Sequence, residues 1–250
     1  MNQPQNKQIF ASLNILQLVY AGYIWILLIL IGIPVWPLVS YLPNYRWSWA
    51  VLRRACLILS RLSATSFRVT GSVASIDTPY VVVANHASFI DALVMILTLR
   101  RPVAFIAGGE LATQRLAGPV LRGLACEFVL PESELNGTSN ITRYAELLRC
   151  GRNLVIFPEG SLGKQPGVRR FHLGAFVIAA KAGAAIVPIG IQGSRDVVRP
   201  GSHLPRRSSV IAAIGDPIWP SGTGSKAAIS LRNEAHAAIV QLCKEPSLVR

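Results

Sequence analysis

VVVANHASFIDALVM, residues 81–95, decides the fold. Three valines and an alanine form the kind of branched, apolar run that a strand buried on both faces requires. Asn85 and His86 then arrive in a turn, and SFIDALVM continues as an apolar stretch of helical character with Asp91 about one turn in. A core histidine would fall inside a periodic pattern, whereas His86 falls at the seam between two. In sheets built from strand–turn–helix units, ligands sit beyond the carboxyl ends of the strands.

The same alternation runs through the rest of the chain from Phe67. FRVTG, PYVVVAN, VAFIAG, CEFVL, NLVIF, AAIVPIGI and SSVIAAIG read as strands. SFIDALVMILTL reads as a helix with Ser88 as its N-cap, and ELATQRLAGPVLRG as another. ITRYAELLRCG ends at the helix stop Gly151, and two more helices fall at about 171–182 and 226–243. The pattern predicts an α/β domain over 67–250: a largely parallel sheet flanked by helices.

Ahead of that domain lie two segments of different character. Residues 1–45 hold no charge between Gln8 and Tyr45, and residues 15–33 match the roughly 20 apolar residues that cross a bilayer core. One lysine ahead of it and no A-x-A site after it argue against a signal peptide. Tyr20, Tyr23, Trp25 and Trp36 suit interfacial anchors, and Pro34 and Pro37 are expected to interrupt the helix. The segment reads as one span or as a helix held in one leaflet; a buried soluble helix is the alternative. Residues 46–66 place Arg46, Arg53, Arg54 and Arg61 on one helical face, as a basic helix on an anionic membrane surface would. The positive-inside rule then sets everything after Arg46 on the cytoplasmic face of an inner or other cellular membrane. The same arginines also fit a helix docked on the domain with a solvated face.

Composition narrows the partners. The chain of 250 residues is 51% hydrophobic and only 15% charged, with a net charge of +13. Low charge content argues for lipid and against nucleic acid, and the basic surplus points to phosphorylated or anionic partners. Four scattered cysteines read as free thiols, two of them buried, in a reducing compartment. No metal-ligand spacing is present.

Two polar turns therefore share one sheet edge: Asn85-His86, and Phe157-Pro158-Glu159-Gly160. An imidazole can take a proton at neutral pH, and Asp91 can hold its other ring nitrogen. That is the base-and-orienter half of a catalytic triad. The chain has no G-x-S-x-G elbow, so the nucleophile must come with the substrate. EGSLGKQ lacks the spacing of a phosphate loop, and His203 and His236 carry no assignment.

NHASFID resembles the N-H-x-x-x-x-D signature of the glycerolipid acyltransferases, the lysophosphatidic acid acyltransferase family. FPEG and RRFHLGAFVIAAKAGAAIVPIG resemble that family's next blocks, in its order, across about residues 67–220. The resemblance implies an O-acyltransferase in which His86 is the general base and Asp91 orients it. A fatty acyl group would pass from acyl-CoA or acyl carrier protein to a lysophospholipid hydroxyl, 1-acylglycerol 3-phosphate first among them, giving phosphatidic acid. No cofactor beyond the donor is implied. Asn85, Ser88, Phe157, Pro158, Glu159, Gly160 and Ser161 would form the substrate site, with backbone N–H groups at Glu159-Gly160 steadying an oxyanion.

The chain departs from the family where that family carries phosphate-binding arginines: Pro131 and Leu162 stand there instead, and His172 replaces a lysine. Lys164, Arg169 and Arg170 are the candidate replacements, and Arg195–Arg207 is a solvated loop or a holder of headgroup or CoA phosphates. The departure leaves open a different acceptor, such as lyso-ornithine lipid. A non-catalytic membrane protein that binds through its basic faces is the reading of another class.

Overall fold

The structure is a computed structural model describing residues 15–73, 76–129, 137–163 and 165–249. Its helices are α1 (Ile15–Tyr41), α2 (Tyr45–Leu62), α3 (Asp91–Thr98), α4 (Ala117–Gly123), α5 (Gly137–Arg149), α6 (Gly174–Ala182), α7 (Ser194–Val197) and α8 (Ser225–Cys243). Its strands are β1 (Ser66–Thr70), β2 (Tyr80–Ala84), β3 (Ala104–Gly108), β4 (Glu127–Val129), β5 (Leu154–Ile156), β6 (Ala185–Gln192) and β7 (Ser209–Ile214).

The strands form one seven-stranded sheet in the order β1-β7-β6-β2-β5-β3-β4. β6, β2, β5, β3 and β4 run parallel, and β7 pairs antiparallel with β6 while lying parallel to β1. β2 lies in the middle and is buried along its whole length. Its side chains alternate: Val82 and Ala84 join the core beneath α2 and α3, and Val81 and Val83 join the core beneath α5, α6 and α8. Burial on both faces explains the unbroken valine run.

Two sequence expectations fail here for identifiable reasons. ELATQRLAGPVLRG is not one helix: a 3-10 turn over Gly109–Thr113 is followed, after a break, by α4. Gly118 crosses the carbonyl of Ala112 so closely that a Cβ would come within 2.5 Å of it. Nor do Pro34 and Pro37 interrupt α1, which continues to Tyr41. Val39, fully buried, packs its backbone against Gly123 of α4, and Trp36 Nε1 donates to Leu116 O at 2.9 Å. These contacts hold the last turns where proline removes helical hydrogen bonds.

α1 touches the rest of the protein along its length. Tyr20 Oη donates to Ser63 O at 2.9 Å, Tyr23 Oη to Leu62 O at 3.0 Å, and Trp25 Nε1 to His203 O at 2.9 Å. The polar ends of all four aromatic residues therefore bind protein carbonyls, not the headgroup layer expected from sequence. The opposite face is apolar and exposed, with Ile15, Val19, Ile26, Ile29, Leu30 and Ile33 among its residues. The helix is long and apolar enough to cross a membrane. On α2, Arg46, Arg54 and Arg61 are exposed and Arg53 is half-buried.

Three cysteines are buried, one more than the sequence suggested: Cys56, Cys126 and Cys243, with Cys150 exposed. Burial pushes the Cys56 and Cys126 thiols up to about 12 and Cys243 to about 11. Because the thiolate is the reactive form, a maleimide or disulfide reagent at pH 8 should modify one thiol per folded chain, at Cys150. Mass spectrometry of the labelled peptides checks this; rapid labelling of Cys126 in the folded protein would contradict the packing.

Candidate active site

β2 and β5 are parallel neighbours, with Val83 paired to Ile156, so the turns that follow them meet at one edge of the sheet. His86 occupies the first turn, and Phe157-Pro158-Glu159-Gly160 the second. His86 Nδ1 lies 3.0 Å from Asp91 Oδ2, and the imidazole is 20% exposed while Asp91 is fully buried. The ring of Phe157 stacks on the imidazole with centroids 4.2 Å apart and planes at 17°. A carboxylate at one edge and an aromatic face on one side hold the ring in a single orientation. With Nδ1 committed to Asp91, Nε2 is the nitrogen left for a substrate proton.

Asp91 also fixes the turn itself. The same Oδ2 accepts from Ala87 N at 2.7 Å and Ser88 N at 2.8 Å. Ser88 is not the N-cap expected: α3 starts at Asp91, and Ser88 Oγ donates to Val198 O at 2.7 Å, on the loop after α7. Asn85 is turned into the sheet, where its amide pairs with Ile191, donating to the carbonyl at 3.0 Å and accepting from N–H at 2.7 Å. It extends the β2–β6 ladder by one step and locks the backbone entering His86.

Glu159 joins the two turns. It is 4% exposed; Oε1 accepts from His86 N at 3.0 Å and Oε2 from Arg169 Nε at 2.9 Å. Both of its oxygens are committed to hydrogen bonds within the protein, so Glu159 holds the two turns and the Arg169 loop together. Pro158 stands at the second position of a tight turn closed by Gly160 N donating to Phe157 O at 3.1 Å, a position its fixed φ suits. That bond occupies the Gly160 N–H that the sequence suggested for an oxyanion. Gly160 has φ +74°, and a Cβ there would meet the His172 ring at 3.1 Å.

Arg169 also donates to Ser161 through Oγ at 3.1 Å and through the carbonyl. Its guanidinium thus braces the loop. Arg170 is exposed and Leu162 half-buried; Lys164 and Pro131 lie outside the described residues. The bracing loop is itself tied down by residues 245–248. Gly167 N donates to Glu245 Oε2 at 2.7 Å, Val168 N to Pro246 O at 2.9 Å and Leu248 N to Val168 O at 2.9 Å. Sequence reading missed this strap, the Arg195 Nη1 bond to Gly163 O at 2.8 Å, and the Val198 contact. All are long-range pairings with no local signature.

Beside the His86 turn an apolar cavity of about 410 Å³ opens between α1, α2, α3 and the loop after α7. Phe89, Ile90, Leu93, Trp25 and Val198 are among its walls. Its size falls within the range of small-molecule sites, roughly 300–1,000 Å³. Among the described residues no cluster of three or more His, Cys, Asp or Glu could hold a metal.

If Glu159 depends on Arg169, then Arg169→Ala should cost about 1–3 kcal/mol, read as a melting temperature lower by several degrees. Glu245→Ala, which frees only the strap, should cost about 1 kcal/mol or less. An Arg169→Ala protein as stable as the parent would show that the bridge does not hold the turn.

The sequence profile of the family described as Acyltransferase matches residues 66–192, just over half of the chain. A chloroplastic 1-acyl-sn-glycerol-3-phosphate acyltransferase of Arabidopsis thaliana is 33% identical over 171 residues, 67% of this chain and 46% of that one. A lyso-ornithine lipid O-acyltransferase of Pseudomonas aeruginosa is 35% identical over 150 residues, 59% of this chain and 56% of that one. The chain spans about half the length of the curated relatives it matches. The crystal structure of the 1-acyl-sn-glycerophosphate (LPA) acyltransferase of Thermotoga maritima shares the fold, with a TM-score of 0.72 at 21% identity over 91% of this chain and 93% of that one. With a matched domain that runs from β1 through β6 and carries both turns of the site, the chain belongs to the Acyltransferase family.

Proposed function

We propose that this protein transfers a fatty acyl group from an acyl thioester, acyl-CoA or acyl carrier protein, to the hydroxyl of a lysophospholipid at a membrane surface. The single observation that carries the reading is the His86–Asp91 pair, held at 3.0 Å with Nε2 left for a substrate proton. Nε2 takes the proton of the acceptor hydroxyl as its oxygen attacks the thioester carbonyl carbon. Collapse of the tetrahedral intermediate breaks the C–S bond, and the imidazolium returns the proton to the leaving thiolate. Asp91 stabilises the imidazolium and fixes its tautomer. The apolar cavity beside the turn suits an acyl chain, each buried methylene contributing about 0.8 kcal/mol.

1-Acylglycerol 3-phosphate is the first acceptor to offer, on the names of the relatives. One observation favours a second: Leu162 and Pro131 stand where an arginine fork would bind phosphate. The relative in Pseudomonas aeruginosa is named for lyso-ornithine lipid.

Membranes holding the protein, given labelled acyl-CoA and each lysolipid in turn, should form the diacyl product. His86→Ala should lower the rate about 10²–10⁴-fold. Asp91→Asn keeps an oxygen for the Ala87 and Ser88 N–H groups but offers Nδ1 an amide, so it should lose activity while remaining folded. A His86→Ala protein at full rate would remove the mechanism.

We also infer that α1 lies in one leaflet, with the catalytic domain on the cytoplasmic face. Its contacts with Ser63, His203, Leu116 and Gly123 keep one side on the domain from near its start to its end, leaving only the other side for lipid. Single cysteines replacing Ile15 and Tyr41, in a Cys150→Ser background, should label with an impermeant maleimide from the same side of sealed vesicles. Labelling from opposite sides establishes a span and overturns the arrangement.

A further inference from the structure

The loop joining α7 to β7 carries three arginines that the site above does not use. Arg199, Arg206 and Arg207 line one cleft of about 510 Å³, together with Asp196, Tyr20 and Leu16. Asp196 is the one carboxylate on its walls, against three guanidinium groups. Among the described residues, none of the three makes a salt bridge or a side-chain hydrogen bond. Three guanidinium groups facing one carboxylate leave an excess of positive charge, and guanidinium forks are the groups that best match phosphate oxygens. The wall formed by Leu16 and Tyr20 places the cleft at the start of α1, where Ile15, Leu16 and Val19 are exposed.

A second observation gives the charged cleft its ligand. Tyr20 also lines the apolar cavity, as do Val197 and Val198, the two residues that precede Arg199. Cleft and cavity are thus adjoining compartments, one cationic and one with walls that are almost wholly hydrocarbon. Ser88 Oγ, bonded to Val198 O, ties the dividing segment to the His86 turn. A molecule that fills both has a single long chain and an anionic group near one end of it.

We propose that this cleft binds the phosphate of a single-chain amphiphile whose hydrocarbon chain occupies the adjoining cavity. The proposal rests on the acyltransferase reading for its choice of ligands, since a lysophospholipid acceptor and an acyl-CoA donor both have this chemistry. It relocates phosphate recognition from the turn around Leu162 to the far side of the His86 loop. Arg199, Arg206 and Arg207 become specificity-determining residues.

Binding, not turnover, tests it. In a His86→Ala background and neutral detergent, equilibrium binding is measured for lysophosphatidic acid, the monoacylglycerol of the same chain, and acyl-CoA. The His86→Ala parent should bind lysophosphatidic acid or acyl-CoA at least about tenfold more tightly than the monoacylglycerol, a tenfold change being about 1.4 kcal/mol. Arg199→Gln/Arg206→Gln/Arg207→Gln should reduce that preference to about twofold and leave monoacylglycerol binding unchanged, which also shows that the cavity is intact. Loss confined to lysophosphatidic acid assigns the cleft to the acceptor, and loss confined to acyl-CoA assigns it to the donor. The triple lysine variant, which keeps the charge, should hold an intermediate preference and controls for misfolding. An unchanged preference for both phosphates in the glutamine variant overturns the proposal. A wild-type protein that shows the preference but transfers no acyl group would instead refute the catalytic reading and leave the cleft standing.

Discussion

One buried carboxylate organises the site. Glu159 is almost wholly removed from water, and an unpaired charge there would be costly. Its two compensations come from different places: the His86 backbone N–H on the turn after β2, and the Arg169 side chain ten residues further along. Satisfying Glu159 therefore requires that the β2 turn, the β5 turn and the Arg169 loop take up one mutual geometry. The position of the imidazole follows from that requirement as much as from its own contact with Asp91.

The sheet makes such economy possible. Parallel neighbours bring the turns after β2 and β5 together without further instruction, and the antiparallel β7 closes the other side of β6. Asn85 supplies the remaining restraint by continuing the β2–β6 ladder one step past the strand. A polar residue in a turn next to a histidine would ordinarily suggest ligand contact. Here both ends of its amide are used by Ile191, and its contribution is backbone precision.

How much of this was legible follows from the range of each interaction. The strand-to-turn handover at Asn85-His86, the FPEG turn and the helix stop at Gly151 depend on residues adjacent in sequence, and they stood out. Ser88 was misread because its hydroxyl serves Val198, 110 positions away, and not the local helix end. The aromatic residues of α1 were misread for the same reason: an indole N–H in an apolar segment looks alike whether its partner is a headgroup or the carbonyl of His203. Proline residues predicted a break in α1 that packing of Val39 on α4 overrides. What pattern reading cannot supply is which distant backbone group completes a local polar one.

The strap formed by residues 245–248 bears on the order in which the protein can assemble. Glu245 meets Gly167 across 78 positions, and the contact forms only when α8 has settled against β6. Long-range closures of this kind come late in folding, because the intervening loop entropy must be overcome first. A nascent chain could thus complete β2, β5 and the apolar core beneath α2 and α3 while the loop bearing Arg169 remained unfastened. The fastening of that loop would then arrive with the docking of α8, the same event that completes the core beneath α5, α6 and α8.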